Sequence, residues 1–487
     1  MGSAGVPAGG RGTSATSGMS VDLLVAEIGS TTTSAAAFGG VFEPDGSPPR
    51  CLGRGMAATT VAQGDVVIGL RAALEDLARL LGLAEGGREL EWRHMLASSS
   101  AAGGLRMSVH GLAYDMTVRA AREAALGAGA VVRMVTAGTL QPSELRELAA
   151  LRPNIILLAG GVDFGETETA TTNARLIAGL GLSGTPVVYA GNVTARAAVR
   201  EALELAGMRV TCTDNVYPRI DELNVEPARR VIQAVFEEHI VHAPGMERIR
   251  ELVGGRIVPT PAAVMSAARS LYEAIGDLMV VDVGGATTDV HSVTRGSEEI
   301  AAIMTGPEPL AKRTVEGDLG VFVNARNIRT AVPAGVLEDA LRMPAHEIDR
   351  LLAELHPIPR GDREEQLVVE LARTAAAAAV LRHAGRIRDL YGPGGRTSVA
   401  EGKDLTRVRW IVGTGGALTR LPGGESALGA LRRRRAGPEL LPGPEARVLL
   451  DRDYVLAPCG VMAHDHPRAA LRITLHSLGL PEDEPGV

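Results

Sequence analysis

The sequence predicts an α/β protein built by duplication, with a smaller parallel α/β unit inserted between its two halves. The first observation is a pair of loops, at residues 27–33 and 282–289, that each follow a short apolar run. Both contain an acid, an apolar residue, a glycine, a small residue and then threonines, and they lie roughly 250 residues apart, as a duplicated fold requires. The second observation is a strict alternation of strand and helix patterns over residues 131–213, which is typical of a parallel sheet.

Composition limits the class of protein. The chain has 487 residues, 45% of them hydrophobic and 22% charged, which predicts a globular protein of two or three domains with a large core. Its net charge of −7 argues against nucleic acid or an anionic membrane as a partner, and 3% aromatic residues offer no platform for stacking bases. No apolar run reaches the roughly 18 residues that a membrane span needs.

The N-terminal segment and the cysteines predict a cytoplasmic protein. Residues 1–20 are rich in Gly, Ala, Ser and Pro without a hydrophobic signal core, and we expect a disordered tail there. Cys51, Cys212 and Cys459 are far apart and form no CxxC pair, so neither a zinc cluster nor a redox dithiol is indicated. The predicted domains are the tail at 1–20, a first lobe at 21–97, the inserted α/β domain at 98–225, and a second lobe with the remaining core at 226–487.

Local patterns predict the individual elements. The apolar run 23–28 predicts a strand with residues 34–38 as its hairpin partner. Apolar residues at helical spacing predict a helix over 65–81, which ends at Gly82 or, more firmly, at Gly86-Gly87. Further strands are predicted at 94–98, 131–136, 155–159, 186–190, 209–213, 277–283 and 408–412, and further helices at 117–126, 143–151, 168–180, 194–206, 226–239, 260–275, 370–383 and 467–478.

Two local features have specific interpretations. Thr260-Pro261 predicts a helix start with Thr260 as the capping residue, because Thr is a good cap and Pro suits the first helical position. Four consecutive arginines at 432–435, between Gly/Pro-rich segments, are interpreted as a solvated loop.

The paired loops have the chemistry of a polyphosphate site. Glycines let backbone N–H groups approach phosphate closely, consecutive amides in a turn form an anion-binding concavity, and Thr and Ser hydroxyls add donors. A third loop of this kind, at 413–417, follows a buried strand. One such loop alone would be an ordinary tight turn, whereas two matched loops and a third favour phosphate binding. The candidate binding residues are Gly29, Ser30, Thr31, Thr32, Gly284, Gly285, Thr287, Thr288, Gly413, Gly415 and Gly416.

Glu27 and Asp282 are the candidate catalytic and metal residues. An acid at the strand end would repel phosphate, so we expect the two to hold a divalent metal, directly or through water. Mg²⁺ keeps most of its waters, and one or two carboxylates suffice for it. Neither loop matches GxxxxGK[ST], so the pattern is not that of a P-loop.

The three loops resemble those of the superfamily of actin, sugar kinases and heat-shock ATPases. That resemblance implies an actin-like, ribonuclease-H-like duplicated fold that binds ATP and Mg²⁺. More specifically, the chain resembles the MutL (GlmL) proteins associated with glutamate mutase, which are unrelated to the mismatch-repair protein of that name. The motifs that carry this resemblance span about residues 22 to 478 and are Ser98-Ser-Ser-Ala-Ala-Gly-Gly-Leu-Arg-Met107, Leu157-Leu-Ala-Gly-Gly-Val-Asp163, Asn224-Val-Glu-Pro-Ala-Arg229, Pro259-Thr-Pro-Ala-Ala-Val264, Val281-Asp-Val-Gly-Gly-Ala-Thr-Thr-Asp-Val-His-Ser292 and Lys312-Arg-Thr-Val-Glu-Gly-Asp-Leu-Gly320.

The family resemblance implies an accessory protein for an adenosylcobalamin-dependent mutase, such as glutamate mutase or an amino-acid aminomutase. Its implied task is ATP-driven exchange of damaged cobalamin. The mechanism we expect is domain closure, in which ATP and Mg²⁺ bridge the two loops and hydrolysis of the γ-phosphate lets the halves reopen. The inserted domain would carry that motion to the partner enzyme.

The first loop departs from the superfamily pattern in two ways. It begins with Glu27 where Asp is usual, which shifts the metal geometry by one methylene. Ser34 and Ala35 follow the threonines where Lys or Gln is common, so the loop offers no cation for a γ-phosphate. Both departures favour slow hydrolysis or simple nucleotide sensing.

Two further segments allow alternative interpretations. Lys312-Arg313-Thr314 resembles the segment that covers the adenine in heat-shock ATPases, where an arginine stem could stack on the base, but a basic pair on a helix surface is the alternative. Gly160-Gly161 follows a buried strand and suggests either a phosphate or cobalamin-tail contact or an ordinary βα turn. Because the inserted domain lacks the Asp-x-His-x-x-Gly ligand motif, we interpret it as a partner-docking domain.

Histidines give little sign of a metal. His464-Asp465-His466 has no further ligands nearby in the sequence, and we interpret it as a solvated helix start. His291 continues the strand after the second loop and is interpreted as structural.

Three other functions are open from the sequence. A small-molecule kinase needs a base near the acceptor hydroxyl, for which Asp163 and Asp289 are candidates without distinctive features. A hydantoinase-like hydrolase of the same superfamily would open an amide ring with ATP stimulation. A nucleotide-gated scaffold would close its cleft without turnover. The absence of an evident substrate base favours a nucleotide switch that serves another enzyme.

Overall fold

The computed structural model describes residues 21–42, 47–60, 65–83, 90–100, 106–240, 246–253, 257–392, 395–432 and 437–481. The predictions for residues 1–20, for Gly86-Gly87 and for 433–435 lie outside these residues. The strands are β1 (Val21–Ile28), β2 (Thr32–Gly39), β3 (Arg50–Ala58), β4 (Trp92–Ser99), β5 (Arg106–Gly111), β6 (Val131–Ala137), β7 (Ile155–Leu158), β8 (Val187–Tyr189), β9 (Val210–Cys212), β10 (Ile257–Pro259), β11 (Leu278–Val283), β12 (Thr288–Val293), β13 (Ala311–Glu316), β14 (Arg386–Gly392), β15 (Gly395–Glu401), β16 (Trp410–Thr414) and β17 (Arg447–Leu450).

Helices alternate with the strands over most of the described chain. They are α1 (Val66–Leu80), α2 (Arg119–Gly127), α3 (Pro142–Leu151), α4 (Glu168–Ala178), α5 (Arg196–Glu204), α6 (Glu226–Ile240), α7 (Met246–Leu252), α8 (Thr260–Ile275), α9 (Glu298–Ala301), α10 (Ala325–Ala331), α11 (Val336–Leu341), α12 (Ala345–Glu354), α13 (Asp362–His383), α14 (Gly416–Thr419), α15 (Gly424–Gly429), α16 (Leu456–Met462) and α17 (Pro467–Ser477).

Two five-stranded sheets repeat one topology, which confirms the predicted duplicated α/β fold. The first sheet has the order β3-β2-β1-β4-β10 and the second the order β13-β12-β11-β16-β17. In each sheet three strands in chain order are antiparallel neighbours, and the last two add in parallel on the other side of the first strand. The same chain path is thus used twice. The hairpin turn of each half therefore lies at the same end of its sheet.

The inserted unit, residues 106–212, has its own sheet. Its five strands are all parallel, in the order β6-β5-β7-β8-β9, with α2 to α5 as the connections. The strand β5 has no counterpart among the predicted elements. Its polar Ser108 and His110 are fully buried and interrupt the apolar run that marks a buried strand. The predicted domain boundaries stay a prediction. Strand β10 follows residue 226, where the second lobe is predicted to begin, but it hydrogen-bonds to β4 of the first sheet.

The structure corrects three predicted helix ends. Helix α1 ends before Gly82, whose φ of +68° suits glycine, and so it stops at the first of the two predicted positions. Thr260 does not cap α8: Pro259 is the capping residue, and the Thr260 hydroxyl donates to Ser98 Oγ at 3.3 Å. Helix α13 begins eight residues earlier than predicted, at Asp362, because acidic residues in its first turn suit the helix N-terminus.

The helices α8, α16 and α17 join the two sheets. One face of this layer packs against β11 and β16 of the second sheet, and the other packs against β1 and β2 of the first. These aliphatic contacts hold the two hairpin turns opposite one another. None of the described helices is long and apolar enough to cross a membrane.

Candidate functional site

The first and second loops form the same turn. In the first loop the Gly29 N–H donates to Thr32 O at 2.9 Å, and in the second the Gly284 N–H donates to Thr287 O at 2.9 Å. A β-carbon on Gly29 would lie 2.5 Å from Thr32 O, so this turn accepts only glycine there. The matched sequence pattern therefore has a matched backbone conformation.

The two loops face each other across a cavity of about 90 Å³. They approach so closely that a β-carbon on Gly285 would overlap the Thr31 side chain. The structure thus brings together most of the predicted site residues. Those that line the cavity are Glu27, Gly29, Ser30, Thr31, Thr32, Asp282, Gly284, Gly285 and Thr287.

A larger cavity of about 1100 Å³ adjoins the first. It extends between the second lobe and the inserted unit, whose strand β6 lines it over five consecutive residues, 131–135. The residues that line both cavities are Ser30, Ser100, Pro261, Ala286, Thr287 and Asp289. A ligand with a small anionic end and a larger body can therefore occupy both.

Arg54 holds Glu27, and sequence reasoning missed this contact. The Arg54 guanidinium is buried, forms a salt bridge with Glu27 and donates to Ser34 Oγ at 2.6 Å. It also lies 3.7 Å from the centroid of the Tyr454 ring. Arg54 comes from β3, and no pattern near the first loop points to it. Glu27 therefore has a cationic partner at one carboxylate oxygen, and its role at a metal stays a prediction.

Asp282 has a different environment. Its carboxylate has no hydrogen bond or ion pair with another described residue, and it lines the small cavity. Burial, and then the negative charges of Asp289, Glu27 and Asp451, raise its pKa to about 8. A cation at this carboxylate would relieve the repulsion and favour the charged form.

The donor set fits a hydrated Mg²⁺ better than a metal held by protein ligands alone. The described residues contain no group of three or more His, Cys, Asp and Glu side chains able to hold a metal. Mg²⁺ is commonly bound by one or two carboxylates together with water and phosphate oxygens. Asp282 suits this mode, whereas Glu27 is already engaged by Arg54.

Lys312 and Arg313 line the larger cavity, and their contact with a base stays a prediction. Both lie on strand β13, so the alternative of a basic pair on a helix is wrong. The Lys312 ammonium lies 2.8 Å from Glu308 and 3.4 Å from Glu123. Arg313 is 2% exposed, and its Nε donates to Asp289 Oδ1 at 2.7 Å.

Arg313 also binds the inserted unit. Its Nη1 donates to Leu126 O at 2.9 Å and to Ala130 O at 3.3 Å, at the C-terminal end of α2. Asp289 in turn accepts the Thr287 hydroxyl at 3.0 Å. One buried guanidinium therefore links the second loop to the inserted unit.

The third loop and Thr288 lie away from the cavities. The Thr288 hydroxyl is buried and donates to Leu319 O at 2.7 Å. A β-carbon on Gly413 would overlap Leu428, so this glycine serves packing. Gly415, with φ +89°, passes beside Asp282, and Gly416 faces open space. None of these residues lines either cavity.

The remaining histidine and glycine predictions have simple outcomes. His291 is fully buried on β12, as expected for a structural residue. His466 precedes α17 and packs edge-on against Phe42, with ring centroids 4.9 Å apart. Gly160 and Gly161 are both buried, and a β-carbon on Gly161 would lie 2.9 Å from Glu166 O, which favours the ordinary βα turn of the two alternatives.

A duplicated α/β fold with two hairpin loops opposed across a cleft is of the actin-like ATPase type. A family model described as "MutL protein" matches residues 23–478, and the chain therefore belongs to that family. Protein MutL of Clostridium tetanomorphum is 38% identical over 426 residues, which cover 85% of this chain and 91% of that protein.

Solved structures show weaker likenesses. Nucleotide-free acetone carboxylase has a TM-score of 0.39 and 14% identity, covering 91% of this chain and 70% of that one. A glycerol dehydratase reactivase has a TM-score of 0.28 and 11% identity, covering 84% and 94%. Xylulose kinase from Lactobacillus acidophilus has a TM-score of 0.28 and 12% identity, covering 95% and 90%. These scores carry no functional argument, and the fold assignment depends on the strand order of the chain itself.

Proposed function

We propose that this chain is an ATP-binding accessory protein, a slow ATPase that acts as a reactivating chaperone for an adenosylcobalamin-dependent mutase such as glutamate mutase or an amino-acid aminomutase. The observation that carries the nucleotide part is the pair of matched glycine turns opposed across one cavity. Membership of the MutL family supports the accessory role. The proposal places the protein in the cytoplasm, as the sequence predicts.

In this proposal the backbone of both loops binds the phosphates. The amides that follow Gly29 and Gly284 form two facing anion sites, and the Thr31 hydroxyl adds a donor. The hydroxyls of Ser30 and Thr287 donate to Ser100 O and Asp289 Oδ2, and would have to turn to reach a phosphate. Asp282 holds Mg²⁺, which would neutralise phosphate charge as it develops. Glu27 acts only indirectly on the metal, because Arg54 holds its carboxylate.

The two carboxylates that the sequence offers as bases for a kinase are both engaged. Asp289 is bound to Arg313 and Thr287. Asp163 lies in the inserted unit, where it accepts from Val193 N and Asn215 Nδ2. Neither carboxylate is free to take a proton from an acceptor hydroxyl. No observation favours ring hydrolysis.

The link from the second loop through Arg313 to α2 supports the coupling that a chaperone needs. Arg229 of α6 packs its guanidinium against Gly127 of α2, and its Nη2 donates to Ala311 O at 3.3 Å. Arg119, at the start of α2, donates to Pro307 O. These contacts attach the inserted unit to the second lobe, so a shift of the second loop on nucleotide binding would reach it.

Two measurements test the proposal. Calorimetry with ATP and Mg²⁺ should give saturable binding that the Asp282→Asn variant weakens. Incubation of an inactivated mutase holoenzyme with the protein and Mg-ATP should restore activity, and it should not do so without ATP. Absence of ATP binding by the wild-type chain would overturn the nucleotide part, and binding without reactivation would overturn the chaperone part.

A further inference from the structure

Three exposed apolar side chains stand on one edge of the inserted sheet. The loops that follow β7, β8 and β9 present Phe164, Val193 and Ile220, which are 83%, 38% and 72% exposed. Because these strands are parallel, their carboxyl ends meet at the same edge. We call these three residues the apolar edge. Leu205, 82% exposed, follows α5 and lies at the opposite end of the same sheet.

Buried amides hold the loops of the apolar edge together. Asn192, fully buried, accepts from Phe164 N at 3.1 Å and donates to Gly165 O and Glu166 O, both at 3.0 Å. Asn215 donates to Gly161 O at 3.0 Å. These bonds join the β7 and β8 loops and the β9 loop into one structure, so the exposed side chains are preorganised.

The same loops join through Asp163. Its Oδ1 accepts from Val193 N at 2.9 Å and from Asn215 Nδ2 at 3.0 Å, and its own N–H donates to Pro218 O at 2.9 Å. One residue thus contacts all three loops. The apolar edge does not depend on loose surface segments.

Backbone strain occurs at this edge. Phe164 has φ +62° and Asp221 has φ +62°, in the left-handed region that bulky residues rarely adopt. The Asp221 N–H donates to Tyr217 Oη at 2.9 Å, which holds that conformation. Such strain persists only where the surroundings enforce it, and here it presents a large aromatic ring to solvent.

Acidic residues surround the apolar edge. The loops 159–167, 190–195 and 213–225 contain five acids against one arginine, which gives a net charge of −4. The arginine, Arg219, lies 3.5 Å from Glu222 and is already paired. A complementary surface would therefore have an apolar pocket for the ring and a rim of Lys and Arg.

We propose that the apolar edge is the docking face for a protein partner whose surface has an apolar pocket with a basic rim. This inference depends on the proposed function, in which that partner is the mutase. A small ligand is the other candidate at the carboxyl edge of a parallel sheet, but the buried Gly160-Gly161 turn gives it no backbone cradle. An exposed aromatic anchor within an acidic rim suits a protein surface.

The test compares edge variants with a matched control. Phe164→Gly removes the ring and relieves the left-handed strain, so the fold should be retained, and Ile220→Ser removes the second anchor. Leu205→Ser makes an equally exposed change at the opposite end of the sheet. Binding to purified glutamate mutase holoenzyme is measured by surface plasmon resonance, with ATP affinity and thermal unfolding measured alongside.

We expect the double variant Phe164→Gly, Ile220→Ser to bind the mutase about tenfold or more weakly, while Leu205→Ser binds like wild type and all variants keep their ATP affinity. Equal mutase binding by the edge variants and wild type would overturn the docking face and leave the proposed function standing. Failure of the wild-type chain to bind either glutamate mutase or an amino-acid aminomutase, with or without ATP, would overturn both. Loss of aquocobalamin binding in the edge variants would identify a small-ligand site and overturn the protein partner.

Discussion

The two halves of the duplicated fold use one arginine position in different ways. Arg54 on β3 pairs in register with Ala36, and Arg313 on β13 pairs with His291, three residues beyond the last threonine of the turn in each case. Arg54 contacts Glu27, the acid at the strand end. Arg313 instead contacts Asp289.

The cross-strand partner of the strand-end acid accounts for the difference. Glu27 pairs in register with Ser34, whereas Asp282 pairs with Asp289. In the first half this partner is an uncharged serine, so Arg54 pairs with Glu27. In the second half this partner is the carboxylate of Asp289, which pairs with Arg313, so Asp282 has no cationic partner. The duplication therefore yields one neutralised loop and one loop with an unpaired carboxylate, where Mg²⁺ can bind.

Removing Arg54 should have the largest effect on the molecule. Arg54→Met leaves Glu27 buried without its cation, and we expect the free energy of unfolding to fall by about 3–5 kcal/mol. Urea denaturation measures this. The double variant Arg54→Met, Glu27→Gln should recover most of the loss, and a double variant as unstable as the single one would show that the ion pair is not the cause.

Because Glu27 has a cationic partner and Asp282 has none, we expect substitutions of the two acids to affect Mg-ATP binding unequally. Asp282→Asn should weaken Mg-ATP binding about 10–100-fold, while Glu27→Gln, which keeps an acceptor for Arg54, should weaken it much less. Calorimetry with and without Mg²⁺ measures both. In EDTA the Asp282→Asn variant should bind ATP no more weakly than wild type, and a larger effect of Glu27→Gln would reverse the assignment.

We predict that Arg313 couples the second loop to the inserted unit. Arg313→Lys keeps a charge near Asp289 but loses the guanidinium fork that reaches Leu126 O and Ala130 O. Hydrogen exchange of residues 119–137 on addition of Mg-ATP should then change about fivefold less than in wild type. Lys312→Arg on the same strand is the control, and an unchanged exchange response in Arg313→Lys would contradict the link.

A smaller effect should appear in the pH dependence of stability. Folding raises the pKa of Asp282 from 3.8 to about 8, so the folded state holds a proton that the unfolded state releases. The titration of Asp282 therefore lowers the free energy of unfolding as pH rises from 3.8 to about 8, and has no further effect above that pH. In EDTA, the melting temperature of wild type should fall by a few degrees more than that of Asp282→Asn between pH 5 and 8. Equal slopes would show that Asp282 does not titrate there.

Features confined to short sequence segments were predictable. The two turns and their strands follow from a glycine and threonines after an apolar run, because the backbone conformation is decided within a few residues. The parallel unit follows from periodicity for the same reason. Strand β5 was not predictable in this way, because its buried Ser108 and His110 are accommodated only by neighbouring strands.

The sequence by itself determined the duplication, the paired glycine turns and the acids at the strand ends. Only the tertiary structure decided which acid is free. Arg54 lies 27 residues from Glu27, and Tyr454 lies 400 residues from Arg54, yet the three meet because the β3 edge packs against the C-terminal segment. Burial and charge pairing act through space, so the pKa of Asp282 and the contact from Arg313 to α2 follow from packing that local patterns do not specify.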